Sequence, residues 1–526
     1  MTDNLGPIAP KVEAALQDLG REDAVGRLWR GDFTLWGNDP TEITEPNRLG
    51  WLEVAESMQG DLDDLRAFAK DVASAGYTTA VLMGMGGSSL APEVLQATFG
   101  TADGMLRIHV LDTTHPDSIL ALTHSIDLDK TLFIVSSKSG TTIETLSHFD
   151  YFWGLKPDGS RFVAITDEGS FLHKLGEERH FRRVFLNRPD IGGRYSALSF
   201  VGLVPAALIG ADLDELLERA RDLARDCKRT DSGQNPGAYL GAVMGAASLA
   251  GRDKLTLLLP EELASFGAWV EQLLAESTGK HGKGIIPIVS EPEGSPTSYG
   301  EDRLFVAIGS HTGLEELEAA GHPVVRLPYE GTQQLGAEFF RWEFATAIAG
   351  WRLGINPFDQ PNVQSAKDAT ARILRDGVTE ASQTCSLHEL MNTVRPGDYV
   401  AILAYLPRND SVASLLEELR LQMRRHHGVA TTVGFGPRYL HSTGQLHKGG
   451  PNSGVFVLLT DDAESDITIP ERSYTFDRLR NSQALGDLQS LLSAERRVAH
   501  IHLDGDRHVA LEGLVSLASL LEDRSF

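Results

Sequence analysis

The stretch "FIVSSKSGTTIETL", residues 133–146, opens as an apolar strand, passes through hydroxyls clustered around Lys138, and closes on a helical pattern. One hydroxyl is enough to cap a helix. Ser137, Ser139 and Thr142 beside an ammonium group exceed that need. An anion at the helix N-terminus accounts for them, because unpaired backbone N–H groups and side-chain donors converge there. A compact phosphate monoester suits such a loop better than a pyrophosphate cradled by backbone alone. The strand–loop–helix order also sets the fold class, since strands alternating with amphipathic helices make a parallel sheet covered on both faces.

Working outward, "AVLMGMGGSSLAPEVL" (residues 80–95) repeats the arrangement, with Gly84, Gly86, Gly87, Ser88 and Ser89 between strand and helix. Glycines there let a backbone approach a ligand closely. Three readings stay open for this loop alone: a dinucleotide site, another phosphate site, or a structural turn. Ser89 stands where a dinucleotide fingerprint needs its third glycine, while Asp112 ends the next strand as a ribose-binding acid would. Strands are expected at 79–83, 107–111, 131–136 and 162–166, then in "KLTLLLP", "RLFVAIGS" and "HPVVRLP", and after Pro396 in "DYVAILAYLP", "VFVLLTDD" and "RVAHIHLDG". The expected organisation is a helical segment (1–70), a first α/β unit with the phosphate loops (71–250), a second (251–390), and a C-terminal α/β segment (391–526) that completes the second unit or stands alone.

The chain has 526 residues, more than one core accommodates, and a formal charge of −25 from 48 basic against 73 acidic residues. That balance excludes a general affinity for nucleic acid or anionic membrane, so an anionic ligand has to be caught in a built pocket. Two distant cysteines, Cys227 and Cys385, offer neither a disulfide framework nor a zinc site. The N-terminal residues lack a signal pattern, and the longest uncharged run (residues 195–211) is broken by Pro205 and reads as a buried helix. A cytoplasmic location is expected.

With "IGGRYSALS" (191–199), "ESTGKHGKGI" (276–285) and "FDQPNVQSAK" (358–367) added to the two loops, the chain resembles the glucose-6-phosphate isomerases, built on sugar-phosphate-binding SIS domains. More narrowly, it is similar to the isomerase half of bacterial fused transaldolase–isomerase proteins. The resemblance implies two three-layer αβα SIS units with mainly parallel sheets. It also implies interconversion of glucose 6-phosphate and fructose 6-phosphate through ring opening and a cis-enediol, without cofactor or metal. Carried over position by position, Gly87, Ser88, Ser137, Lys138, Ser139 and Thr142 hold phosphate, Glu276 is the base, Arg194 steadies the enediolate, Gln272 and Gln360 bind substrate, and Lys367 attends ring opening. Gln272 shares a helix face with Glu276 at i−4, and Arg194 carries a fixed charge in a glycine turn. Glu271 reads as an ordinary solvated glutamate.

One element departs from the family order. Its ring-opening histidine ordinarily lies between the glutamate and the lysine, but His281, His311 and His322 have the wrong surroundings, and "SEPEGSPTSYGEDR" stands in that place. "RYLHSTGQLHKGG" (438–450) carries the expected pattern downstream, which makes His441 the candidate and His447 its competitor. His426 and His427 read as a solvated helix end. In the family the histidine often crosses from a neighbouring subunit, so a homodimer is implied, with a possible functional link to transaldolase. A dual glucose/mannose 6-phosphate isomerase and a non-catalytic sugar-phosphate regulator are the alternatives.

Overall fold

Central strands that read as apolar runs need cover on both faces, and the chain builds three sheets around such strands. The computed structural model describes residues 3–37, 48–377 and 384–520. The first sheet holds β1 (Thr79–Met83), β2 (Arg107–Leu111), β3 (Thr131–Ser136), β4 (Phe162–Asp167) and β5 (Arg183–Asn187), in the order β2-β1-β3-β4-β5. The second holds β6 (Lys254–Leu258), β7 (Ile286–Ile288), β8 (Arg303–Ile308) and β9 (Val324–Leu327), ordered β7-β6-β8-β9. The third holds β10 (Tyr399–Tyr405), β11 (Ala430–Phe435), β12 (Gly454–Asp461) and β13 (Arg497–Leu503), ordered β11-β10-β12-β13. Every pairing within the three sheets is parallel. The C-terminal segment therefore builds its own sheet rather than extending the second.

The two-residue period of a strand sorts side chains to opposite faces. Leu82 and Ile134 enter one core cluster while Val81, Met83, Phe133 and Val135 enter another. In the third sheet Val400 and Ile402 face one cluster, and Tyr399, Ala401 and Leu403 the other. These clusters also join the sheets. Ile467, Ile469 and Phe476, from the connection after β12, pack under the first sheet. Ile286 and Ile288 of β7 share a core with Tyr405 and Leu458 of the third. The C-terminal third is thus packed against both others, and its loops reach the carboxyl ends of the first sheet's strands.

The run with Pro205 forms the buried helix Phe200–Ile209, and no described helix is long and apolar enough to cross a membrane. The helix pattern expected in the N-terminal segment is present at Ala9–Arg21 and Leu62–Ser74, while residues 38–47 lie outside the described residues.

The helix Leu335–Leu353 runs through the largest core, buried along nearly its whole length. It carries Glu343, which is fully buried and whose carboxylate oxygens have no hydrogen-bond partner among the described residues. Burial pushes this carboxyl well above its ordinary value of 4.5, so the folded chain keeps the proton to higher pH than the unfolded chain does. A carboxyl raised on folding stabilises fully below its unfolded pKa and loses that contribution as pH rises towards the folded one. Glu343→Gln should remove this loss. Its advantage in urea unfolding should grow by about 1.4 kcal/mol per pH unit above about 4.5 until the folded pKa is reached. An advantage that does not change with pH would contradict it.

Candidate active site

The loops at the carboxyl ends of β1 and β3, the turn "GGRYS", the helix Phe266–Thr278, the segment 356–367 and the turn Arg438–His441 surround one cavity of about 370 Å3. Gly87, Ser88, Ser137, Lys138, Ser139, Thr142, Arg194, Gln272, Glu276, Gln360, Lys367 and His441 all line it. Two of its glycines are explained by protein rather than by ligand. A Cβ on Gly87 would stand 2.3 Å from the carbonyl carbon of Gly193. At Gly86, with φ of +52°, it would meet the His441 carbonyl oxygen at 2.6 Å. Their bareness lets the first loop touch both the arginine turn and the histidine turn.

In the second loop Ser137 Oγ lies 3.0 Å from Thr142 Oγ1 and accepts from the Gly140 amide at 3.1 Å, and Ser139 Oγ lies 3.1 Å from Thr141 Oγ1. Neither Ser137 nor Thr142 caps the helix that starts at Ile143, which has no side-chain cap. Lys138 Nζ donates to Asp167 Oδ2 at 2.5 Å and to the Pro189 carbonyl at 3.1 Å. An ammonium has three donors, so one remains for a ligand.

Glu276 ends its helix, and Gln272, one turn earlier, donates from Nε2 to Glu276 Oε2 at 3.0 Å and to the His441 carbonyl at 2.7 Å. The other carboxylate oxygen, Oε1, lies 3.2 Å from Arg194 Nη1. The buried Arg194 guanidinium also donates to Ser277 Oγ (2.8 Å), Gln360 Oε1 (2.9 Å) and the carbonyls of Pro357 (2.7 Å) and Asp359 (3.1 Å). Lys280, from the same "ESTGK" run, is 1% exposed and donates to the carbonyls of Asn356 and Asp359 and to the Asp359 carboxylate. Burial, with Arg194 nearby, pulls its ammonium down to about 8. The sequence reading passed over this lysine. Lys367, on the helix Gln364–Asp376, is exposed and lines this cavity and an adjoining one of about 400 Å3.

His441 Nε2 stands 3.0 Å from Glu144 Oε1, and Gln483 Nε2 donates to the same oxygen at 2.7 Å. Burial alone would raise the Glu144 carboxyl, but the charge and hydrogen bond of His441 outweigh it and hold the pKa down. With Nε2 turned to a carboxylate, Nδ1 is the ring nitrogen left for a ligand. Glu144 sits inside the quoted "TTIETL" and was missed because a glutamate in a first helical turn needs no special reason. His447 is buried against Phe456 (ring centroids 5.0 Å apart), and burial drives its pKa well below the usual value. It is a neutral core imidazole.

One open alternative closes and two expectations change. Asp112 is no ribose-binding acid, because it is buried, accepts from Ser89 Oγ at 3.3 Å and pairs with Arg438 Nη1 at 3.1 Å. Glu271 is half-buried rather than fully solvated, and desolvation raises its carboxyl to about 7 against the pull of Arg438 and Arg420. His427 is buried at 3% exposure rather than solvated. Among the described residues no cluster of His, Cys, Asp and Glu forms a metal-binding group.

The model of the phosphoglucose isomerase family matches residues 50–302. A glucose-6-phosphate isomerase of Rubrobacter xylanophilus is 30% identical over 430 residues, covering 70% of this chain and 96% of its own. A probable glucose-6-phosphate isomerase of Methanococcus maripaludis is 26% identical over 407 residues, covering 66% and 91%. Among solved structures, a glucose-6-phosphate isomerase from Chlamydia trachomatis superposes with a TM-score of 0.59 at 20% identity, covering 69% of this chain and 86% of its own.

Two outcomes test the geometry. Gly87→Ala sets a Cβ against backbone that has no flexible end to move. A shift of about 1 Å between the first loop and Arg194 should cost about 100-fold in kcat/KM, and near-normal kinetics would contradict the contact. Glu144, with its depressed folded pKa, stabilises fully above its unfolded value of about 4.5 and loses that contribution as pH falls through the folded one. Glu144→Gln should therefore unfold with a flatter acid limb below about pH 4.5, measured by denaturant titration across that window.

Proposed function

Because the chain belongs to the phosphoglucose isomerase family, we propose that its cavity interconverts glucose 6-phosphate and fructose 6-phosphate. The observation that carries this reading is the Glu276 carboxylate with one oxygen on Gln272 and the other on Arg194, facing both phosphate loops and His441 across one cavity. A sensor of sugar phosphates would have use for the loops but none for that carboxylate.

The phosphate is unchanged by the reaction, so its binding energy serves positioning. Ser88, Ser137, Ser139, Thr142 and the free donor of Lys138 hold it at the two loops. His441, kept in one orientation by Glu144, delivers a proton from Nδ1 to the ring oxygen as the hemiacetal opens, while the C1 hydroxyl gives up its own proton to solvent. Lys367 is the cation at this end of the substrate, and Gln272 and Gln360 hold hydroxyls. Glu276 then carries a proton between C2 and C1. Arg194, a charge that never deprotonates, faces the enediolate oxygen as it develops. A homodimer, a cytoplasmic location and a transaldolase drawing on the same fructose 6-phosphate belong to this reading, as does kinship with the isomerase half of the fused proteins.

The test is conversion of fructose 6-phosphate to glucose 6-phosphate by the purified chain, read through a coupled NADP-dependent dehydrogenase. Glu276→Gln should lower kcat by about 10²–10⁴-fold, the usual yield of a positioned acid or base, with KM little changed. His441→Ala should slow turnover of ring-closed substrate over a similar range. Turnover of mannose 6-phosphate in parallel would broaden the substrate to both hexoses. Binding of glucose 6-phosphate with no turnover would overturn the reading.

A further inference from the structure

We propose that Gln483 is a positioning residue for ring opening: its side-chain amide, held from behind by Thr114, fixes the carboxylate that orients His441. The role presupposes the isomerase reading of this cavity and the part His441 has in it.

Glu144 Oε1 meets both His441 Nε2 at 3.0 Å and Gln483 Nε2 at 2.7 Å. At the other end of the amide, Thr114 Oγ1 donates to Gln483 Oε1 at 2.7 Å. One line of hydrogen bonds thus joins the loop after β2, the helix Phe476–Ser493, the helix Ile143–Leu155 and the turn Arg438–His441. Thr114, Gln483 and Glu144 are 0, 2 and 3% exposed, so water does not compete for these bonds. The direction of the amide is dictated by its neighbours. Turned over, it would set its oxygen 2.7 Å from a carboxylate oxygen with no proton between them. The Thr114 end is itself anchored. His148 Nε2 donates to the Thr113 carbonyl at 2.8 Å, and His115 Nε2 lies 3.1 Å from Asp461 Oδ1 at the end of β12. A clamp on so firm a base can hold a carboxylate to one position.

A buried glutamine can also serve packing alone. Here its donor is spent on the one oxygen that also faces the imidazole, and Gln483, Glu144 and His441 together line the adjoining cavity of about 400 Å3. The relay therefore stands at the cavity wall rather than inside a core. The residue type fits the task as well. A lysine or arginine could reach the same oxygen, but its charge would take over the carboxylate that His441 needs. An amide donates one hydrogen bond without that competition. The charged groups around it are engaged elsewhere. On its own helix, Arg480 pairs with Asp461 and Asp477, and Asp487 pairs with Lys448. His148, one turn along from Glu144, is pulled down to about 4 by burial and stays neutral. Tyr405, at the end of β10, has its hydroxyl pushed further up by burial. Lys367 and Lys448 line the same cavity, and Lys448 already has its acid.

The experiment reads ring opening apart from the enediol step. Opening and reclosure exchange the two anomers of glucose 6-phosphate without any work by Glu276, and magnetisation-transfer NMR measures the enzyme's contribution to that exchange. Gln483→Leu keeps bulk but has neither donor nor acceptor. It should slow anomer exchange by about 10–100-fold, the usual cost of losing a group that orients a reacting one, with KM for isomerisation little changed. Gln483→Glu is nearly the same shape and tests the donor itself. Two carboxyl groups at the 2.7 Å spacing of the present amide share one proton, and the pKa of the pair rises. Below that pKa the acid donates to Glu144 as the amide does, and above it two negative charges meet. Gln483→Glu should therefore exchange anomers faster than Gln483→Leu on the acid side and fall towards it as pH rises. A loss of packing alone would give the two variants the same pH profile. Wild-type exchange in Gln483→Leu would overturn the inference, as would Gln483→Glu no faster than Gln483→Leu anywhere over about pH 5–9. His441→Ala, run beside them, tells failure of the relay from failure of the histidine. Exchange lost in His441→Ala but intact in both Gln483 variants would sink the positioning role alone, and exchange intact in His441→Ala would sink the ring-opening assignment with it.

Discussion

The placement of one guanidinium governs the site. Arg194 leaves a turn of the first sheet's layer and spends its donors on two other elements: Ser277 and Glu276 on the helix Phe266–Thr278, and the carbonyls of Pro357 and Asp359 with the Gln360 side chain on the segment 356–367. A buried, always-charged fork with five donors in fixed directions permits little variation in where those elements lie. Lys280 doubles the constraint, since it shares the Asp359 carbonyl and is equally buried. Burying two neighbouring cations is costly unless they are neutralised, and Glu276 and Asp359 supply the charge. The proposed base is therefore part of the structure that holds its own oxyanion partner.

The second constraint is the joint between the first and third sheets. Glu93, Asp112 and Arg438 form a partly buried ionic cluster one turn from His441. Arg438 and Arg408 hold the Glu93 carboxyl down at about 2 despite its burial. Ion pairs of this sort contribute modestly to stability in net terms, yet breaking one side is severe because a bare charge remains. Their usefulness lies in register: a turn that must satisfy two acids and a glycine contact has one seat. Chemistry asks only that the imidazole arrive, which is why the histidine motif can come late in the chain without altering what surrounds the cavity.

How much of this could be read from residues follows from where each signal sits. Buried central strands announce themselves as apolar runs, and those expectations match β1, β3, β4, β6, β8, β10 and β12. The strands that pass unread, β5, β7 and β11, are all edges. β5 mixes exposed and buried positions as "RVFLN", and β7 is only three residues long around Pro287, so neither offers a sustained run. At the site, the residues gathered round the cavity were those carried by dense motifs. Glu144, Lys280 and Arg438 were overlooked because their roles depend on partners 339, 79 and 345 residues away in Gln483, Asp359 and Glu93. The glycines were noticed for closeness to a ligand. In the fold their closeness is to Gly193 and His441.

A chain of net charge −25 that captures a dianion has to do so locally, and the cavity limits how. Arg194 is committed to Glu276, Lys280 to Asp359, and Lys138 to Asp167, so these three cations are each matched by a carboxylate, while Arg48, which also lines the cavity, donates to the Pro189 carbonyl. The phosphate end then depends on direction more than on net charge. It has serine and threonine hydroxyls that can turn to donate, a helix start at Ile143 with no side-chain cap, and one unspent ammonium proton on Lys138. On the proposed reading, such a site would hold a phosphate by hydrogen bonds in a fixed geometry. Lys367 is exposed, has no ion pair among the described residues, and stands on the helix lining both cavities. The free charge thus lies with the segment proposed to attend ring opening, where charge has to move, while the paired charges lie where the substrate has only to be held.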